Sequence, residues 1–360
     1  MQFFENDSYL RSALRKSVKR TPIWIMRQSG RYLKEYQSIK KQAKDFLSLC
    51  KTPDLSSKAA LIPIKKFSLD AAIIFSDILI LPYAMGMDVN FYENLGPSFL
   101  NPISSISDMK NLNVPDPEKN LKYVLDSIKI ICKELDKKIP LIGFSGSPWT
   151  LACYMIEGKC NKIFSKIKKM IYQNSKELHF LLKKITNSII LYLNSQIIYG
   201  VNAIIIFDTW GGILTEEKYC EYSLHYMSLI IKNLFCKYKG NKIPVTIFTK
   251  NGGQWIKKIA KSGCDVIALD WSVDIEYARK QVNGKIAIQG NMDPFELYGS
   301  FSSIEEETNK ILSKFGYNSG HIFSLGHGIY KDTPPENVNF LIESVHNLSK
   351  KYHKKNRFKK

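Results

Sequence analysis

Short apolar runs rich in Ile, Val and Phe recur along the chain, each opening near a Pro, Gly, Asp or Lys and closing in polar residues or Gly. Eight runs read as strands: residues 23–26, 71–75, 141–144, 203–207, 245–248, 266–269, 286–288 and 322–325. They are nearly continuous rather than alternating, which predicts strands buried on both faces, as in a parallel sheet. The stretches between them carry helical spacing, as in residues 177–192 and 254–261. Strand and helix alternate eight times, so the pattern predicts an α/β fold of the (β/α)8 TIM-barrel type rather than an open sheet. The early connections are much longer than the late ones, which places extended loops early. Residues 97–117, punctuated by Pro97, Pro102, Pro115 and Pro117, read as irregular connection. A single domain is expected over residues 1–349, followed by a basic, frayed tail at 350–360.

In a barrel, chemistry collects on the loops after the C-terminal ends of the strands. The first run closes on Arg27, Gln28, Ser29, Gly30 and Arg31, and the second on Ser76 and Asp77. The third enters Ser145-Gly146-Ser147-Pro148 and reaches Tyr154; the fourth ends in Asp208 and Thr209. Later runs lead to Thr249-Lys250-Asn251-Gly252-Gly253, to Asp270, to Gln289-Gly290-Asn291-Met292-Asp293 and to Gly326-His327-Gly328. Together they predict a concave polar site at one mouth. A lone Arg27 or Arg31 would read as an ion-pair partner. Two around Gly30, where the backbone can turn sharply, offer two guanidinium forks to carboxylates. Asp77 either caps the next helix or faces the cavity, where a buried carboxylate needs donors such as a ligand with several N–H groups. His327 lies between two glycines, where backbone can approach a ligand closely. Tyr154, Thr209 and Ser147 carry less information alone, because hydroxyls there can simply bond neighbouring backbone.

Composition narrows the partners. The 360 residues are 44% hydrophobic and 24% charged, the profile of a folded protein with a sizeable core. A formal charge of +19 suits an anionic partner such as nucleic acid, lipid headgroups or a polycarboxylate. Much of that excess is Lys scattered along helices beside abundant Ile and Asn, a pattern that A/T-rich codon usage produces with no binding role. The first residues form neither a secretory signal nor an Arg-rich transit peptide, and apolar stretches are too interrupted to span a membrane, so a cytoplasmic location is expected. The seven cysteines read as reduced thiols, with Cys153 and Cys160 as small buried apolar residues. No phosphate-binding Gly loop follows a strand, and His321 and His327, six strand steps apart, would stand about 20 Å from each other, too far to share an ion. No cofactor and no metal are expected. No recognition motif for nucleic acid is present, although the basic tail leaves a binding scaffold as a rival reading.

At these residues the chain resembles the uroporphyrinogen decarboxylase family. The resemblance rests on PIWIMRQSGRYLKEY from Pro22, GFSGSPWTLACYMIEG from Gly143, FDTWGG from Phe207, QGNMDP from Gln289 and LGHGI from Leu325, in family order over nearly the whole chain. Ser29, Lys34, Trp149 and Asn251 depart from the usual residues, and none of these is a proposed ligand except Ser29. The resemblance implies a cofactor-free enzyme that converts uroporphyrinogen III to coproporphyrinogen III, a homodimer, and a site of Arg27, Gln28, Ser29, Gly30, Arg31, Asp77, Tyr154, Thr209 and His327. In that reading Asp77 serves the pyrrole N–H groups, Arg27 and Arg31 bind carboxylates, and Tyr154, Thr209 and His327 hold other acidic side chains. Related barrels that transfer methyl groups typically bind zinc through a His-x-Cys pair; here Gly328 and Ile329 follow His327.

Overall fold

The computed structural model describes residues 4–92, 96–159 and 163–354. Seven strands form one parallel sheet in chain order: β1 (Ala72–Ile73), β2 (Leu141–Gly146), β3 (Ala203–Asp208), β4 (Val245–Thr249), β5 (Val266–Ala268), β6 (Ala287–Gln289) and β7 (His321–Ile322). The architecture is α/β and TIM-barrel-like. β2, β4, β5 and β6 are buried along their whole length, as apolar residues with two covered faces require.

The first apolar run forms no strand. It contributes a single parallel bridge from Ile23 to Phe323, while Ile23 O accepts from Asp70 N at 2.9 Å on its other side. The chain turns immediately afterwards, with Gln28 N donating to Ile25 O at 3.0 Å, so no ladder can grow. β1 and β7 are likewise only two residues long, shorter than their apolar runs.

Helices cover the sheet: α1 (Pro53–Lys66), α2 (Lys122–Leu135), α3 (Pro148–Glu157), α4 (Ser175–Tyr199), α5 (His225–Asn233), α6 (Ile275–Val282), α7 (Phe301–Phe315) and α8 (Pro335–His353). The start and stop of α3 are written locally. Ser147 accepts from Thr150 N as the N-cap, Pro148 occupies the first turn, and Gly158 ends the helix at φ +80°. Gln196 of α4 reaches β2, accepting from Phe144 N at 3.0 Å and donating to Phe144 O at 3.1 Å. Gly143 makes this possible, since a Cβ there would stand 2.3 Å from Gln196 Oε1.

Residues 97–117 are more regular than their prolines suggest. Val89–Tyr92 pairs antiparallel with Gly96–Phe99, and a capping box of Ser105 and Asp108 starts the short helix Ile106–Asn111. α8 runs through His353, whose Nε2 lies 2.9 Å from Thr21 Oγ1, so order extends past residue 349; residues 355–360 lie outside the described residues. Six free cysteines are described, with Cys153 buried as expected; Cys160 lies outside the described residues. Among the described residues no helix is long and apolar enough to cross a membrane.

Candidate active site

The N-terminal ends of the strands are tied by a buried ionic cluster. Asp70, just before β1, accepts from both Arg20 guanidinium nitrogens at 2.9 Å, from Ile23 N at 2.8 Å and from Asn6 Nδ2 at 2.7 Å, with His346 Nε2 at 2.9 Å. The opposite end carries the residues singled out above.

Arg27, Asp77 and His327 are brought together there. Arg27 holds left-handed backbone at φ +61°, a conformation costly for a residue with a side chain and characteristic of functional sites. Gly30, where the sharp turn is expected, does not have positive φ; the turn falls on Arg27 itself. The Arg27 stem lies over Gly328, so close that a Cβ there would stand 2.4 Å from Arg27 Cδ, and Ile329 N donates to Met26 O at 3.1 Å. The first and last strand-end loops are thus clasped, which sets Arg27 beside His327.

Asp77 follows β1 and is partly accessible, yet dense surroundings push its carboxyl above the ordinary carboxylate range, opposed by the Leu79 N–H and the charge of Arg27. Its Oδ1 accepts from Leu79 N at 2.8 Å, at the entry to the short helix Ile80–Ala84. Asp77 thus forms the turn and still leaves part of its surface open. A carboxylate with a raised pKa and some surface left open gains from any ligand that brings N–H donors or positive charge.

His327 is half-buried, its ring centroid 6.1 Å from that of Phe248 and 6.3 Å from that of Trp271. Burial, then the charges of Arg27 and Lys250, drive its pKa down to about 4 against a weaker pull from Asp270. It is an uncharged imidazole at neutral pH, able to donate one hydrogen bond and accept another. Phe207, at the end of β3, lies between Phe144 at 5.6 Å and Phe248 at 6.2 Å, giving an aromatic floor beside these polar groups.

Tyr154 and Thr209 share another wall. Tyr154, on α3, meets Trp210 with ring centroids 6.1 Å apart, and Trp210 is fixed by its N–H to Thr150 Oγ1 at 3.1 Å and its carbonyl to Trp149 Nε1 at 2.9 Å. Thr209, immediately before Trp210, is half-buried at the same strand end. Arg31 is exposed on the loop of Arg27, and its carbonyl accepts from Gln37 Nε2 at 2.7 Å.

Gln28 and Ser29 turn into the scaffold. Gln28 is 1% exposed and donates to Ala71 O at 3.4 Å, while Ser29 Oγ donates to Ala59 O at 2.6 Å. Ser147 also serves the frame, donating to Asp208 Oδ1 at 2.5 Å. Asp208, named at its strand end but given no role by sequence, accepts further hydroxyls from Thr150 at 3.2 Å, Ser223 at 2.9 Å and Thr249 at 3.2 Å. Burial raises its pKa and these four hydroxyls oppose the rise. It braces β2, β3 and β4 from inside, leaving the surface of the mouth to Thr209 and Phe207.

A family profile described as uroporphyrinogen decarboxylase (URO-D) matches residues 4–348. The uroporphyrinogen decarboxylase of Pseudoalteromonas atlantica is 51% identical over 354 residues, covering 98% of this chain and 100% of the relative. That of Hamiltonella defensa is 53% identical over 350 residues, covering 97% and 98%. Among solved structures, a methyltransferase from Methanosarcina mazei aligns with a TM-score of 0.77 at 19% identity, covering 95% of this chain and 98% of that one, a likeness of fold alone. The chain belongs to the uroporphyrinogen decarboxylase family.

Proposed function

We infer that this chain removes the carboxyl groups of the four acetate side chains of uroporphyrinogen III, giving coproporphyrinogen III and carbon dioxide in porphyrin and haem biosynthesis. The observation that carries the reading is Asp77: a carboxyl with a raised pKa at the end of β1, beside Arg27 and the uncharged His327, in a chain about half identical to relatives of that name over nearly its whole length.

The chemistry needs a sink for electrons. A proton adds to the pyrrole α-carbon next to the one that bears the acetate arm, and the resulting iminium, conjugated with that arm, accepts the electron pair released as the bond to the carboxylate breaks, leaving an exocyclic methylene. Carbon dioxide leaves, a proton adds to the exocyclic carbon, and loss of the ring proton restores the pyrrole. The net change is one proton in and one carbon dioxide out per arm, with no cofactor consumed. Asp77 accepts the pyrrole N–H bonds and stabilises the cationic ring, an interaction that strengthens as charge develops. Arg27 and Arg31 take substrate carboxylates through charge-assisted bonds of about 1.5–3 kcal/mol each. Tyr154, Thr209 and His327 hold further acidic arms, and Phe207 lies under the macrocycle. Gln28 and Ser29 act by shaping the Arg27 loop, and Gly30 by letting it pass close to substrate.

The same reading includes a closed eight-stranded (β/α)8 barrel in one domain, supported by the bond from Asp70 N to Ile23 O on one side and the bonds of Phe323 with Pro22 O and Trp24 N on the other. It also includes a cytoplasmic homodimer that binds neither nucleic acid nor membrane; the charge of +19 then serves to draw in an octacarboxylate. The test is Asp77→Asn and Asp77→Glu in anaerobic turnover of uroporphyrinogen III. A loss of at least about 10²-fold in kcat is expected for the amide, from the magnitude of removing one transition-state stabiliser. Near-normal turnover by a folded Asn variant contradicts the role of Asp77.

A further inference from the structure

Lys250 follows β4, and its surroundings fix its backbone unusually well. Its N–H donates to Asp208 O at 3.3 Å, and its carbonyl would stand 2.2 Å from a Cβ on Gly212, so the β3 loop is pressed against it. The next residue, Asn251, holds left-handed backbone at φ +56° and donates its N–H to Asp270 Oδ2 at 2.5 Å. The side chain that emerges from this anchored turn is half-buried and points its Nζ to within 5.8 Å of the Trp271 ring centroid.

Two features of that corner are unbalanced. Neighbouring lysines have carboxylate partners, as Lys258 with Glu216 and Lys218 with Glu221, whereas among the described residues Lys250 has no ion pair. Trp271 is 37% exposed although Asp270 beside it is 2% exposed, and its backbone is packed so tightly on Gly326 that a Cβ there would stand 2.3 Å from Trp271 N. An indole anchored through its backbone with over a third of its surface exposed, next to an ammonium without an ion pair among the described residues, is one half of an arrangement that an aromatic polyanion completes. Its ring would meet the indole, and a carboxylate would meet the ammonium. Trp271 also contacts His327, whose loop holds Arg27, so the corner is continuous with the candidate active site.

We propose that Lys250 and Trp271 form a further substrate-binding corner beside His327, in which Lys250 takes one carboxylate arm of the tetrapyrrole and Trp271 covers the adjoining face of the ring. The proposal rests on the functional reading above and adds a specificity-determining residue to it. Burial lowers the pKa of His327 first, and the charges of Arg27 and Lys250 lower it further, which is consistent with two cationic carriers of acidic arms flanking one uncharged donor.

The experiment compares the full-length protein with Lys250→Met and Lys250→Arg. Binding of the stable oxidised octacarboxylate, uroporphyrin III, is followed by quenching of tryptophan fluorescence, and anaerobic turnover of uroporphyrinogen III is measured separately. Loss of one charge-assisted bond predicts roughly tenfold weaker uroporphyrin binding and a roughly tenfold higher KM for Lys250→Met, with kcat falling less than KM rises. Lys250→Arg restores most of both, and Trp271→Leu weakens binding in the same direction. Unchanged binding in a folded Lys250→Met protein overturns the corner whether or not the chain turns over uroporphyrinogen. Absence of turnover by the parent protein overturns the functional reading and leaves the binding comparison to decide the corner on its own.

Discussion

Gly328 offers a way to move Arg27 without removing any of its chemistry. A Cβ at this position would stand 2.4 Å from Arg27 Cδ, 2.9 Å from Cγ and 3.0 Å from Nε. Ordinary contact begins near 3.4 Å, so in Gly328→Ala the Arg27 stem retreats by about 1 Å, the difference between 3.4 and 2.4 Å. The atoms that must yield belong to a flexible, exposed side chain, and Gly328 does not have positive φ. The fold should therefore change by no more than about 0.5 kcal/mol. A misplacement of that size at a positioned guanidinium costs up to about 10²-fold in rate. Gly326→Ala is the contrasting case, because its Cβ would meet Trp271 N at 2.3 Å and the Asp270 carbonyl carbon at 2.9 Å. Backbone cannot swing aside, so overpacking should cost about 1–3 kcal/mol of stability. Anaerobic turnover of uroporphyrinogen III and thermal unfolding separate the two variants. A Gly328→Ala protein with the parent kcat/KM refutes the claim that Arg27 is held in a working position. One that melts as early as Gly326→Ala refutes the claim that only its stem yields.

Two further predictions concern titration. Burial alone would raise the Asp70 carboxyl, but the hydrogen bond and charge of His346 and the charge of Arg20 outweigh it and hold its pKa below the ordinary carboxylate value. Its contribution is complete above that ordinary value and is lost as pH falls through the lower, folded one. Asp70→Ala should lower stability by about 3–5 kcal/mol at neutral pH by stranding Arg20, with a smaller difference from the parent in acid. Urea unfolding at two pH values measures this, and a neutral-pH loss under about 1 kcal/mol speaks against the buried cluster. His327, depressed to about 4, should show no NMR titration between pH 6 and 8. As pH falls below about 6.5 the unfolded chain takes up a proton that the folded site refuses until about 4, so stability declines over that window and His327→Asn flattens the decline. A midpoint near 6.5 in the folded protein contradicts the buried, doubly flanked imidazole.

The strands were legible where an apolar run is long enough to pair on both sides. Residues 141–144, 203–207 and 245–248 fall wholly on strands, and 266–269 does so up to Ala268, since Ile, Val and Phe in succession suit a sheet with two covered faces. The run at 23–26 shrinks to one bridge because Arg27 turns the chain at φ +61°, a conformation no propensity assigns to Arg. The Val89–Tyr92 and Gly96–Phe99 hairpin stayed hidden because Pro97 reads as a strand breaker, although proline is tolerated on a two-stranded edge. At the mouth, strand-end position pointed to Arg27, Asp77 and His327. It could not separate side chains that face the cavity from those that turn inward, as Gln28, Ser29 and Ser147 do, because one loop carries both kinds. Lys250 stood in its strand-end loop without a role: with 52 Lys and Arg in the chain, one more cation conveys nothing until its surroundings are seen.

The most direct test of the central claim is anaerobic incubation of the purified, metal-depleted protein with uroporphyrinogen III, followed by oxidation and chromatographic separation of the porphyrins by carboxylate number. Stepwise appearance of species with seven, six, five and finally four carboxylates, at a rate unaffected by added metal, is the predicted result. Unchanged octacarboxylate from a demonstrably folded sample would contradict the assignment.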